Sequence, residues 1–398
     1  MIRLLFFIGF FCLFTNLDAQ QLKTRELYPF VQLHQGNYQQ AFDTLQQLSL
    51  NAQKSNYFLA QIEAAIHLGL YQEALEVCNK LEKIEKNAST AYQTKLFLKL
   101  NDYPSAQNAL LKNLQSDCKI SLFDLFNDKD FEKLMHTPFI DSILKTQFYS
   151  TTEKQIFRVE QLYGQGKFTE ALFLVQEIIS RNHNLHQAFY LHSKISIALK
   201  DQKKAIETIN KAIEITKVPV EYFYQRAILH QKMGDYKSAL ADIEKVIYKD
   251  PYHAGYYLLK AELLFEAGKY SESKSLADAL VTLMPKNADL LIVKAKSLFH
   301  DKQLMQALVT INESFEKRES KEQFELRGDI YAATGTWEYA LRDYSMVLDF
   351  DPYNGNIYAK KGYARLKTGD IKGACYDWSK GKRYGSIDAI KYWDKYCN

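Results

Sequence analysis

The chain has 398 residues, of which 47% are hydrophobic and 25% charged, the balance of an ordinary soluble protein. Its 51 Lys and Arg are dispersed among 47 Asp and Glu, for a net charge of +4, with no long basic run. That excludes an electrostatic stripe for nucleic acid. A compact-domain prior would divide this length into two or three domains.

The first 19 residues stand apart. Arg3 precedes the apolar run Leu4–Phe14, followed by polar Thr15-Asn16-Leu17-Asp18-Ala19. A basic start, a short apolar run and a small residue before Gln20 describe a secretory signal peptide. The run is too short for a stable transmembrane helix, so residues 1–19 are expected to be a leader and the mature chain to lack a membrane span. Leu17 is larger than the residue preferred at its place, and an unprocessed anchor is the other reading. Export would place the protein in the periplasm or outside the cell.

Residues 20–115 hold about three degenerate repeats. Gly36–Leu45, Gly69–Cys78 and Asn101–Leu110 read as one turn-and-helix element, with small residues at Ala41, Ala74 and Ala106 and tyrosines at Tyr38, Tyr71 and Tyr103. Pro29 stands early in the first of these helices and predicts a displaced start. Residues 116–150 break the period: apolar residues keep helical spacing, but Thr137-Pro138 interrupts them. With no Gly/Ser-rich composition, this segment reads as an irregular cap or bend packed between two blocks.

Residues 151–384 are a regular array of seven repeats. A mostly small residue marks the middle of each first helix at Val159, Ser193, Ala227, Ala261, Ala295, Gly328 and Gly362, in steps of 34, 34, 34, 34, 33 and 34. Twelve residues later a second small residue follows, at Ala171, Ala205, Ala239, Ser273, Ala307, Ala340 and Ala374. A fixed period near 34 is the mark of a helical solenoid. Small residues on both helices let an antiparallel pair approach closely. Bulky residues lie four before the marker in six repeats (Phe189, Phe223, Tyr257, Leu291, Phe324, Tyr358), with Gln155 in the first. Between the helices stand Gly166, Gly234, Gly268, Gly335 and Gly369, with Lys200 and Lys302 in the other two turns. Glycine there supplies the left-handed backbone that ends a helix. Pro251, Pro285 and Pro352 close three repeats. Residues 385–398 then carry Ile387, Ile390, Tyr392, Trp393 and Tyr396 at helical spacing, as expected of a helix capping the last repeat.

These residues resemble the tetratricopeptide repeat (TPR) family, and the terminal Gly373–Gly385 stretch with its last cysteine is similar to secreted bacterial members. The resemblance implies an all-α fold, a right-handed TPR superhelix (α-solenoid) of about ten helix-turn-helix repeats with a C-terminal capping helix. It also implies a non-catalytic scaffold binding peptide or helical segments of a protein partner along the concave face, without a cofactor. Carried over position by position, the first helices present Glu153, Ile156, Glu160 and Tyr163, then Gln187, Tyr190, Lys194 and Ile197, then Glu221, Tyr224, Ile228 and Gln231. Leu258, Glu262, Phe265, Asp289, Ile292, Lys296 and Phe299 follow, then Glu322, Glu325, Asp329, Asn356, Ala359 and Tyr363. Aromatic anchors beside charges suit peptide recognition; packing against the next repeat is the alternative for each residue. Members that grip a C-terminal carboxylate present Lys, then Asn four residues on. Here those positions hold pairs such as Ile156/Glu160 and Leu258/Glu262, so a basic and apolar partner fits better.

Other chemistry is thinly represented. After the leader, Cys78, Cys118, Cys375 and Cys397 remain. Cys375 and Cys397 stand at the two ends of the terminal helix pair, and either a bridge tying down the array or two thiols would fit; a Cys78–Cys118 bridge competes with a core place for Cys78. There is no Cys-x-x-Cys. His183, His186 and His192 lack a completing ligand at metal spacing, and Gly164–Ala171 lacks the spacing of a phosphate loop. Two further functional readings stand beside the scaffold: a structural or assembly component of an envelope or secretion complex, and an envelope-glycan binder or enzyme using the groove aromatics.

Overall fold

A computed structural model describes residues 26–135, 137–216, 220–285, 287–316 and 318–397. The expected leader at 1–19 lies outside them. Every regular element among the described residues is helical. The chain divides into two compact units, one reaching Ala254 and one starting at Gly255. That division falls inside the regular array, whereas the break in the sequence period falls at 116–150.

The first unit opens with three helix pairs. These are α1 (26–34) with α2 (Tyr38–Asn51), α3 (Ser55–Leu68) with α4 (Tyr71–Glu82), and α5 (Thr90–Lys99) with α6 (Tyr103–Leu114). Pro29 lies within the described part of α1. The irregular segment follows as α7 (Leu122–Asn127), a 3₁₀ turn (Lys129–Phe131), α8 (Glu132–Met135) and α9 (Pro138–Lys145). Pro138 starts α9 after extended Thr137.

This segment is fixed to its neighbours. Leu125, Phe131, Leu134, Ile140 and Ile143 are buried in one core with Leu98, Leu110 and Leu114 of the preceding pair. Buried Asn113 donates to the Thr90 hydroxyl (3.0 Å) and the Cys118 carbonyl (2.9 Å), and accepts from the Ile120 N–H (2.8 Å). Three more pairs complete the unit: α10 (Thr151–Gly164) with α11 (Phe168–Arg181), α12 (His186–Ala198) with α13 (Gln202–Thr216), and α14 (Val220–Lys232) with α15 (Tyr236–Lys249). The Asp-Pro-Tyr turn after α15 meets α1 and the residue before α3. Tyr252 stacks on Phe30 (centroids 4.6 Å apart), and Lys54 donates to Glu26 (2.9 Å) and to the Tyr252 hydroxyl (3.1 Å).

The second unit takes α16 (Ala254–Glu266) with α17 (Tyr270–Leu283), α18 (Ala288–His300) with α19 (Leu304–Ser314), α20 (Lys321–Ala333) with α21 (Trp337–Phe350), and α22 (Gly355–Lys367) with α23 (Ile371–Arg383). Helix α24 (Ile387–Tyr396) covers the last pair. Its Tyr392 and Tyr396 lie against the buried Trp378 ring at 5.4 and 5.7 Å. Cys375 and Cys397 form a disulfide (Cα–Cα 5.7 Å) that holds α24 to α23, while Cys78 is a buried thiol and Cys118 an exposed one.

The small residues lie where the two helices of each pair touch. Both sets, from Val159 to Gly362 and from Ala171 to Ala374, are buried. Where the marker is glycine, a ring crosses it. A Cβ on Gly328 would meet Tyr344 at 2.8 Å, and one on Gly362 would meet Trp378 at 2.5 Å. Where a serine stands at the contact, its hydroxyl donates across the pair: Ser193 to the Ala205 carbonyl (2.9 Å), Ser273 to the Ala261 carbonyl (2.8 Å). The two lysine turns adopt the glycine conformation despite their side chains, with φ of 63° at Lys200 and 59° at Lys302.

Candidate functional site

In the first unit the shared face of α10, α12 and α14 meets the irregular segment around a concavity of about 700 Å³. Tyr190 stacks on Tyr222 at 4.2 Å, and the Tyr222 hydroxyl bonds His186 Nδ1 at 2.8 Å. Ser150 and Glu153 cap α10 reciprocally, and Lys119 pairs with Glu153 at 2.5 Å. Burial opposes ionisation of Glu153, but hydrogen bonds from Lys119 and Ser150 hold its carboxyl below the usual range. Glu153 thus ties the irregular segment to α10.

Glu160 is different. It is half-buried and makes no hydrogen bond or ion pair among the described residues. Burial, then the charge of Asp124, pushes its carboxyl up to about 7 against the pull of Lys194. The Lys194 ammonium sits instead over the rings of Tyr163 (5.1 Å) and Tyr190 (5.7 Å). Glu221 is exposed on the rim of the concavity, while Tyr224 is half-buried on the same helix.

The second unit carries two adjoining concavities, of about 200 and 310 Å³, which share Phe265, Lys296 and Glu322. Glu262 lines the smaller one. Burial, then Asp289 and Glu266, raises its carboxyl to about 7. Lys296 pairs with Glu322 and lies 5.6 Å above the Phe265 ring. Phe265 packs edge-on to His300 (5.2 Å), and Phe299 lines the larger hollow. Glu325 and Asp329 both bind Lys360, each at 2.8 Å, and Asp329 also accepts from the Tyr344 hydroxyl at 2.8 Å.

The expected groove residues therefore sort by use. Glu160, Tyr190, Lys194, Glu221, Glu262, Phe265, Lys296 and Phe299 line or flank hollows. Tyr163 supports Lys194 and packs on Phe168 (5.5 Å). Tyr363 lies between Trp337 (5.9 Å) and Tyr392 (5.4 Å), within the packing of the cap. Ile156 and Ile292 line the first hollow and the smaller second-unit hollow although only 8% and 3% exposed, while Ala359, also read as facing the groove, is buried at 2%; the inner side of each first helix also packs against its neighbours. Tyr222, Asp124, Ile120 and Tyr149 also line the first hollow. Periodicity could not reveal the last three, because they lie in the aperiodic segment. Lys360 occupies a first-helix position whose importance depends on acids two helices earlier.

Among the described residues there is no cluster of three or more His, Cys, Asp or Glu placed to hold a metal ion, and no helix long and apolar enough to cross a membrane. Profiles of the tetratricopeptide repeat match residues 186–218 and 224–308. No curated protein sequence matches the chain significantly. Among solved structures, the chain is similar to a tetratricopeptide repeat protein from Parabacteroides merdae (17% identity, TM-score 0.52, covering 61% of this chain and 96% of that one). It is also similar to a chain of the APC/C hetero-tetramer Cut9–Hcn1 (11% identity, TM-score 0.52, covering 92% and 88%). At these identities the likeness concerns the fold. With the helix pairs described above, it shows an all-α, α-solenoid fold, in which residues 186–218 and 224–308 are tetratricopeptide repeats.

Proposed function

We propose that the protein is a non-catalytic interaction scaffold of the cell envelope, holding peptide or helical segments of a protein partner along the face formed by its first helices. The observation that carries this reading is the line of half-buried aromatics and charges around hollows on that face, above all Tyr190, Glu160 and Lys194 in one unit and Phe265, Glu262 and Lys296 in the other. Helix pairs with buried small contacts form a preformed surface, so little entropy is lost on the receptor side when a segment docks. Export is supported by the leader pattern and by the Cys375–Cys397 disulfide, which an oxidising compartment preserves.

The test is affinity capture from native cell envelope with the mature chain as bait, beside a variant carrying Tyr190→Ala, Tyr224→Ala and Phe265→Ala. Both baits must share the same helical circular dichroism. A stoichiometric protein retained by the first and lost by the second is the expected result. Equal capture by both would move recognition off this face, and a partner held through other surfaces within a membrane complex would favour a structural or assembly role.

A further inference from the structure

The regular array has a period longer than one repeat. One residue after the markers stand Glu160, Lys194 and Ile228, then Glu262, Lys296 and Asp329. Three residues after the second small positions stand Leu174, Thr208 and Asp242, then Leu276, Thr310 and Asp343. The left-handed lysines Lys200 and Lys302 are also three repeats apart.

Contacts recur with the residues. Arg226 binds Asp242 through Nε (2.6 Å) and Nη2 (2.7 Å) and Asn210 through Nη1 (2.7 Å). Arg327 binds Asp343 (2.8 and 2.8 Å) and Asn312 (3.0 Å) through the same atoms. Tyr163 packs on Phe168 at 5.5 Å with Lys194 above it, and Phe265 packs on Tyr270 at 5.3 Å with Lys296 above it. The packing needs of a single repeat do not explain this, because intervening repeats fill the same positions differently.

We infer that residues 151–353 are two copies of a three-repeat module, and that each copy carries one site for a basic side chain of a partner segment, with Glu160 and Glu262 as the two acceptors. This rests on the proposed groove reading and names its chemistry. Each acceptor is a half-buried carboxylate at a hollow, and neither has a hydrogen bond or ion pair among the described residues. A carboxylate kept twice in that state costs free energy that an apolar residue at the same register, such as Ile228, would not.

The lysine of the following repeat does not quench the acid. Lys194 lies over aromatic rings, and Lys296 pairs with Glu322. Asp124 and Glu221 stand beside the first acceptor in its hollow, and Glu266 and Asp289, the latter paired with Arg318, stand beside the second. A lysine or arginine side chain matches this pattern, its aliphatic stem lying on the neighbouring ring and its head on the carboxylate.

The probe is a capped pentapeptide, acetyl-Ala-Leu-Arg-Leu-Ala-amide, titrated by calorimetry into the full chain, with the Glu-for-Arg peptide as control. The expected result is two equivalents bound by the parent chain, one by Glu160→Gln, one by Glu262→Gln, and affinity at least about tenfold weaker in the double variant. The near-isosteric change should leave the circular dichroism unaltered, and the charge-keeping Glu160→Asp should retain both equivalents. No binding of the arginine peptide, or a stoichiometry indifferent to both substitutions, overturns the inference. Equal binding of putrescine at both sites would make a free amine the occupant and overturn the partner-segment assignment. A captured partner lost by the aromatic triple variant but held by the Glu160→Gln/Glu262→Gln chain would keep the groove reading and overturn this one.

Discussion

Lys200 offers a test of the turn geometry with few confounding contacts. It is exposed, holds φ at 63°, and its side chain makes no hydrogen bond or ion pair among the described residues. A residue with a Cβ pays about 1–2 kcal/mol in the left-handed region. Glycine removes that cost but gives back about 0.4–1 kcal/mol through its freer unfolded chain. Lys200→Gly is therefore expected to stabilise the first unit by about 0.5–1 kcal/mol, and Lys302→Gly to act alike in the second. The equivalent turn residue Gly234, with φ of 76° and open space around its Cα, supplies the reverse test: Gly234→Ala should destabilise by about 1 kcal/mol. Urea unfolding with hydrogen exchange across each turn reads both signs locally, which matters because a solenoid need not unfold as one unit. A neutral or destabilising Lys200→Gly alongside a costly Gly234→Ala would refute the argument that backbone conformation governs these turns.

Three other expectations follow from buried or constrained groups. Asp242→Asn should cost about 3 kcal/mol by taking the buried carboxylate from the half-buried Arg226 guanidinium, and Asp343→Asn should match it; chemical denaturation showing under about 1 kcal/mol for either would count against these networks as supports. Reducing the Cys375–Cys397 bridge frees a loop of 22 residues, which corresponds to about 3 kcal/mol, so exchange across Ile387–Tyr396 should accelerate on adding reductant while exchange in α20 does not. The raised carboxyls of Glu160 and Glu262 mean that these two groups hold more protons in the folded chain than in the unfolded chain between about 4.5 and 7. Their contribution to stability should therefore fall as pH rises through that window, against the opposite contribution of His186 and His192, whose pKa burial lowers. After allowance for solvent screening, Glu160→Gln should equal the parent near pH 4.5 and exceed it by on the order of 1 kcal/mol at pH 8; a difference independent of pH would remove burial of the charge as its cause.

Much of the architecture was legible before any coordinates. Ala227 and Ala239 announce a close helix crossing by their size alone, and seven registered copies of that spacing specify a solenoid, because each repeat can bury its apolar face only against the next. Gly234 and its equivalents mark the turns for an equally local reason. Lys200 and Lys302 defeated that rule, since packing of the helices on either side imposes the left-handed backbone on a residue that does not favour it. The acidic groove pattern was also readable, but not which members of it are spent. Ser150 and Lys119 claim Glu153, and Trp337 and Tyr392 claim Tyr363, through partners that repeat spacing does not encode. The contact of Tyr252 with Phe30 and Lys54 joins residues some two hundred positions apart, and the 116–150 segment contributes Asp124 and Tyr149 to a hollow whose other wall lies on α12 and α14. Sequence alone determined the repeat, because its causes are local backbone conformation and side-chain volume at fixed spacing. Only the tertiary structure decided that Glu160 and Glu262 stand half-buried and unpaired while Glu153, Glu325 and Asp329 are held by lysines, because that depends on what the rest of the chain brings, or fails to bring, within hydrogen-bonding distance.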